Sequence, residues 1–105
     1  MDDAAYQKLA DSTFRRLEDL LADVDAEDVD LERAGDVLTL TFKNRVKCVI
    51  NTQRPTRQIW LAAAAHAWHF SHDGQRWLDD KHPQNELFAT VARIVKDQSG
   101  LVLKA

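Results

Sequence analysis

Seven carboxylates fall within thirteen residues: Glu18, Asp19, Asp23, Asp25, Glu27, Asp28 and Asp30. Carboxylate oxygens are hard donors that suit divalent or trivalent cations, and like charges this dense repel until a cation relieves them. Asp19 and Asp23 are four apart and so share one helix face, with Glu18 beside them. The C-terminal end of that helix adds further negative potential. No set of these residues encloses an ion at fixed geometry, so the binding expected is shallow, water-rich and weak. The plainer reading is a solvated acidic face, with Arg15 paired to Asp11 and Asp19 at helical spacing.

A second group sits around Pro55. Val49-Ile50-Asn51 reads as the end of one strand and residues 58–62 as the next, joined by a turn at Arg54-Pro55-Thr56. Proline lacks the N–H a sheet ladder needs, so it belongs in the connection. Strand side chains alternate between faces. With Ile50, Ile59 and Leu61 inward, Asn51, Gln53, Gln58 and Trp60 point the other way. Three carboxamides and a tryptophan offer donors, acceptors and apolar area, which suits a partner surface. A solvated face with one stray Trp is the alternative.

His66, His69 and His72 have a metal-like spacing, but a strand sends His69 to the opposite face from the other two. They read as strand and turn histidines, with His69 on the face of Trp60. No nucleophile constellation appears: there is no Gly-rich phosphate loop, no Gly-x-Ser-x-Gly and no Cys-x-x-Cys. The lone Cys48 excludes an internal disulfide and a multi-cysteine cluster site.

These groups need elements to hold them. Tyr6, Leu9, Ala10, Phe14, Leu17, Leu20, Leu21 and Val24 form a stripe of helical period, predicting a helix from Asp3 that ends near Val24. An acidic loop follows, leading to a short strand at 29–32. Gly35-Asp36 is a turn before the alternating strand 37–42, whose hairpin partner is 46–51. Strand 58–62 is followed by 66–71, with Trp68 and Phe70 on one face. Asp73-Gly74 turns into a last short strand, 75–79, with Trp77 inward. Asn85 is the expected N-cap of a second helix with the stripe Leu87, Phe88, Val91, Ile94 and Val95, ending before Gly100. Leu101-Val102-Leu103 is either an edge strand or a plug over the helices.

The fold class expected is α+β: two helices on one face of an antiparallel sheet of five to six strands, in a single domain over residues 1–105. Residues 1–32 hold eleven acids against three bases, net −8, while the remainder is net +5. The molecule is thus strongly dipolar. No apolar run approaches the roughly 20 residues of a membrane span. The N-terminus shows no recognisable export or organelle signal, so a cytoplasmic protein with no membrane partner is expected.

Asn51-x-Gln53-x-Pro55 followed by Gln58-Ile59-Trp60-Leu61-Ala62 resembles the signature of the frataxin family, nearest its bacterial members. The likeness runs from Leu9-Ala10-Asp11 to the last helix. It implies an α-β sandwich and a non-enzymatic, iron-binding (Fe2+/Fe3+) regulator of iron–sulfur cluster assembly. Its implied partners are a cysteine desulfurase and an iron–sulfur scaffold protein. Metal and partner would use the acidic ridge of Glu18, Asp19, Asp23, Asp25, Glu27, Asp28 and Asp30; the sheet face of Asn51, Gln53, Gln58, Trp60 and His69 would contact the assembly. Ala22 departs from the bacterial pattern, where acids are common, and that puts part of the metal capacity in doubt. A monomer is expected, with iron-dependent oligomers as the variant. Two other readings stand beside it. One is a single-stranded nucleic-acid module stacking bases on the sheet, opposed by the clustered acids. The other is a weak ferroxidase or iron-storage protein, for which the sequence shows no confined redox site.

Overall fold

The computed structural model describes residues 1–103. The first helix, α1 (Asp3–Leu20), is capped by Asp2, whose carboxylate accepts the Ala5 N–H at 2.7 Å. It buries Tyr6, Ala10, Thr13, Phe14 and Leu17, the expected stripe. The helix stops at Leu20 rather than near Val24. Its bonding tightens there: the Leu21 N–H is shared between Leu17 and Glu18, and Ala22 and Val24 donate to Asp19 and Leu21, three residues back instead of four. Leu21 still closes the core, at 4% exposure.

Six strands follow in one antiparallel sheet whose spatial order is the chain order: β1 (Val29–Ala34), β2 (Val37–Phe42), β3 (Lys47–Gln53), β4 (Gln58–Ala63), β5 (His66–His72) and β6 (Trp77–Asp79). One 3-10 turn, Arg54–Thr56, carries Pro55 between β3 and β4. The second helix, α2 (Leu87–Ser99), closes the chain. Its N-cap is Glu86, not Asn85: the Glu86 carboxylate accepts the Phe88 and Ala89 N–H groups at 2.9 and 3.0 Å. The main chain of Asn85 is occupied elsewhere, accepting from Asp79 and donating to His82.

Both helices cover the same face. Tyr6, Phe14, Leu17, Val91 and Val95 share one core with Leu38, Leu40, Cys48, Ile50, Ile59, Leu61, Phe70 and Trp77, which are the same-parity residues of the strands. Burial pushes the Cys48 thiol up to about 12, so it is an inert packing residue rather than a reactive one. Tyr6 anchors α1 to the critical turn: its hydroxyl donates to Gln58 O at 2.6 Å and accepts from Gln53 N at 3.1 Å. Leu101 and Leu103 pack against the core without forming a strand, so the tail is a plug.

The β4–β5 connection holds unexpected strain. Ala63 pairs with His66, leaving a two-residue loop of Ala64 and Ala65, with φ of 49° and 69°. Positive φ at both positions is the condition of a type I′ turn, which favours Asn-Gly. Left-handed backbone costs an L-residue with a Cβ roughly 1–2 kcal/mol, partly offset on mutation because glycine loses more freedom on folding. Replacing Ala64→Asn together with Ala65→Gly is expected to stabilise by about 1 kcal/mol, a rise of roughly 4–8 °C in Tm. A calorimetric Tm that is unchanged or lower would show that the alanines are not strained.

Candidate functional site: the open sheet face and the acidic edge

The side of the sheet away from the helices is uncovered. Register aligns Ala34, Val37, Asn51, Trp60 and His69 in one row across it, and Gln53, Gln58 and Ser71 in another. A third row runs Glu32, Thr39, Val49, Ala62 and Ala67. Small and β-branched neighbours leave the surface around Trp60 flat, and Val37 is 36% exposed within it. The Trp60 indole lies on the His69 imidazole, centroids 4.3 Å apart and planes 17° from parallel. His69 therefore belongs with Trp60, as the parity reading expects.

Gln58 faces this side too, but it is not free. It is only 8% exposed. Its Oε1 accepts the Trp60 Nε1–H at 2.8 Å, and its Nε2 donates to Ser71 Oγ at 3.1 Å and to the Asp80 carboxylate. Of the three expected carboxamides, then, Asn51 and Gln53 are partly accessible and Gln58 lies beneath the indole. Ser71 and Asp80 were missed by the sequence reading. The one available signal was Asp79-Asp80, a pair of adjacent acids in the basic part of the chain.

His66 and His72 go to the helix side. His72 packs edge-on against Trp77, centroids 5.0 Å apart, and accepts the Gly74 N–H on Nδ1. His66 lies near Trp68 in a hollow lined also by Arg93 and Asp97 of α2. The three histidines do not converge.

The acidic residues lie along the end of α1 and the loop into β1. The expected pairing of Arg15 with Asp11 and Asp19 is replaced by Arg33, whose guanidinium is 2.7 Å from Glu18 and 3.8 Å from Asp11. Parity explains it: Val29, Leu31 and Arg33 face the helices, and Arg33 reaches α1 while lying 5.3 Å from the Phe14 ring centroid. Glu18 is thus partly neutralised. Asp25 is engaged as a turn cap, its Oδ1 accepting the Glu27 N–H at 2.9 Å. Asp19 and Asp23 line one shallow hollow of about 310 Å³ with Val102 and Leu103. Glu27 and Asp30 are exposed and Asp28 is half-buried. Among the described residues no three His, Cys, Asp or Glu side chains gather to hold a metal ion. The donors present are hard oxygens in exposed positions, a set that fits a cation held through water rather than caged.

An open antiparallel sheet backed by two helices, with a tryptophan on its free face, defines an α-β sandwich whose candidate site is a surface and not a pocket. Residues 1–101 match the frataxin-like domain. The iron-sulfur cluster assembly protein CyaY of Polaromonas sp. is 39% identical over 103 residues, covering 95% of this chain and 88% of its own. That of Aeromonas salmonicida is 40% identical over 100 residues, covering 95% and 94%. Frataxin from Psychromonas ingrahamii superimposes with a TM-score of 0.91 at 30% identity, over 99% of this chain and 97% of that one. The chain belongs to the frataxin-like family.

Proposed function

We propose that this protein is a non-enzymatic, iron-binding regulator of iron–sulfur cluster assembly in the cytoplasm, docking on a cysteine desulfurase and its scaffold protein. The observation that carries the reading is the Trp60–His69 stack on an uncovered sheet face beside Asn51 and Gln53. The names of its CyaY relatives place those proteins in iron–sulfur cluster assembly, which supports the same role here. A monomer can present the whole face. Ionic groups in the face's rows include Asp30, Glu32 and Lys47, and this mixed, largely acidic set disfavours a phosphate backbone. A pull-down against a cysteine desulfurase with its scaffold, with and without Fe(II), tests the reading. No retention in either condition contradicts it.

Iron is cargo in this scheme. Titration with Fe(II) is expected to perturb amide signals between residues 18 and 32 before those of residues 66–72. Affinity should be micromolar or weaker and should fall with salt, because exposed carboxylates are screened. A tight single site centred on the histidines would contradict the ridge. Turnover of Fe(II) with oxygen at catalytic rates would favour the ferroxidase alternative.

The ridge is also expected to steer association. Asp19→Lys with Asp23→Lys leaves the Arg33–Glu18 pair in place and should slow association with the desulfurase at low salt more than it speeds dissociation. Stopped-flow rates that do not change at low salt would remove the ridge from the docking surface.

A further inference from the structure

Two adjacent aspartates at the far edge of the sheet reach both residues of the Trp60–His69 stack, His69 through its main chain and Trp60 through its indole. Asp79 is 5% exposed and accepts the main-chain N–H groups of His69 at 3.0 Å and His82 at 3.1 Å. The Asp80 N–H donates to the His69 carbonyl at 2.9 Å. The main chain of His69 is therefore held on both sides by one dipeptide. Trp60 is reached through side chains: one Asp80 carboxylate oxygen accepts the Ser71 hydroxyl at 2.8 Å, and the other accepts from the Gln58 amide, which in turn accepts the Trp60 indole N–H.

The polarity of this chain is forced. An indole N–H only donates and a carboxylate only accepts, so the Gln58 amide can lie one way alone, oxygen toward Trp60 and nitrogen toward Asp80. An indole with no such tether would rotate about its side-chain torsions, and ordering it on contact would weaken binding. We propose that Asp79 and Asp80 form a positioning clamp that pre-orders the Trp60–His69 stack, with the Asp80 carboxylate setting the indole through Gln58. The clamp rests on the docking role proposed for this face and names the residues that shape it. It also makes the loop between β6 and α2, which lies off the row of Trp60, part of the docking apparatus.

The test uses the full chain labelled with 15N, in which the indole N–H groups of Trp60, Trp68 and Trp77 give separate signals. Asp80→Ala should shift and broaden the Trp60 indole signal and speed its hydrogen exchange. The Trp77 indole, bonded to Thr13 in the core, should stay as it was. Asp80→Asn retains a carbonyl acceptor for Gln58 and should largely restore the signal. Docking on the desulfurase–scaffold complex should weaken roughly two- to twelvefold in Asp80→Ala, the range expected when one side chain must be ordered on binding. In a Trp60→Ala background the same change should add nothing. An unmoved Trp60 indole in Asp80→Ala overturns the clamp, as does an equal loss of docking with and without Trp60. Should Trp60→Ala itself leave docking unchanged, it is the docking role that fails, and the indole signal still decides the clamp.

Discussion

Trp60→Ala is expected to leave a folded protein that still takes up iron but binds the desulfurase–scaffold complex about thirtyfold more weakly. Tryptophan is among the commonest interface anchors, and truncating one typically costs about 2 kcal/mol or more. Each 1.4 kcal/mol is about tenfold in affinity. The monomer loses little by comparison. Trp60 stands on the outer face, apart from the core of Ile59 and Leu61. Its indole leaves behind one acceptor, Gln58 Oε1, which water can reach once the ring is gone. The lost hydrogen bond and the lost stack on His69 should together cost on the order of 1 kcal/mol. Isothermal titration and a thermal melt of the same variant check both halves. A variant that unfolds, or one that binds the complex as tightly as before, contradicts the assignment of Trp60 to a docking face.

Trp77→Ala is expected to behave in the opposite way, losing about 3–5 kcal/mol of stability. Trp77 is 2% exposed and sits edge-on to Tyr6, centroids 6.4 Å apart, and to His72. Its indole N–H donates to Thr13 Oγ1 at 3.0 Å, joining β6 to α1 across the core. Truncation opens a cavity beneath both elements, and the loss is a large share of the roughly 5–15 kcal/mol that holds a domain together. Tm should fall by more than about 10 °C, and urea denaturation gives the free energy directly. A loss under about 1 kcal/mol would mean that the core is not built around this residue. Comparing the two tryptophans separates an anchor for a partner from an anchor for the fold.

Their contrasting placements were legible because strand parity is a local rule. Ile50, Ile59, Leu61, Phe70 and Trp77 lie inward, with Asn51 and Trp60 outward, as alternation requires. Helical period located α1 and α2 for the same reason, with errors only at their ends: α1 stops at Leu20, short of Val24, where its turns tighten, and α2 is capped by Glu86, one residue after Asn85. What stayed hidden depends on residues far apart in the chain. Gln58 meets Asp80 across 22 positions, and Glu18 meets Arg33 across 15. Such pairs exist only once the sheet register and the helix docking are set, and neither has a signature in spacing. The left-handed Ala64 and Ala65 were hidden for another reason: the backbone there is imposed by the pairing of Ala63 with His66 against the preference of alanine itself.

The docking face can be located by the chain's own amide signals. The 15N-labelled protein, titrated with unlabelled desulfurase–scaffold complex, should lose intensity first at Asn51, Gln53, the Trp60 indole and His69, with a weaker, salt-sensitive response along residues 18–30. The helix-side residues Val91 and Val95, which lie in the core, should be the last affected. Early loss centred on α2, with the Trp60 indole unchanged at saturation, would contradict the sheet face as the docking surface.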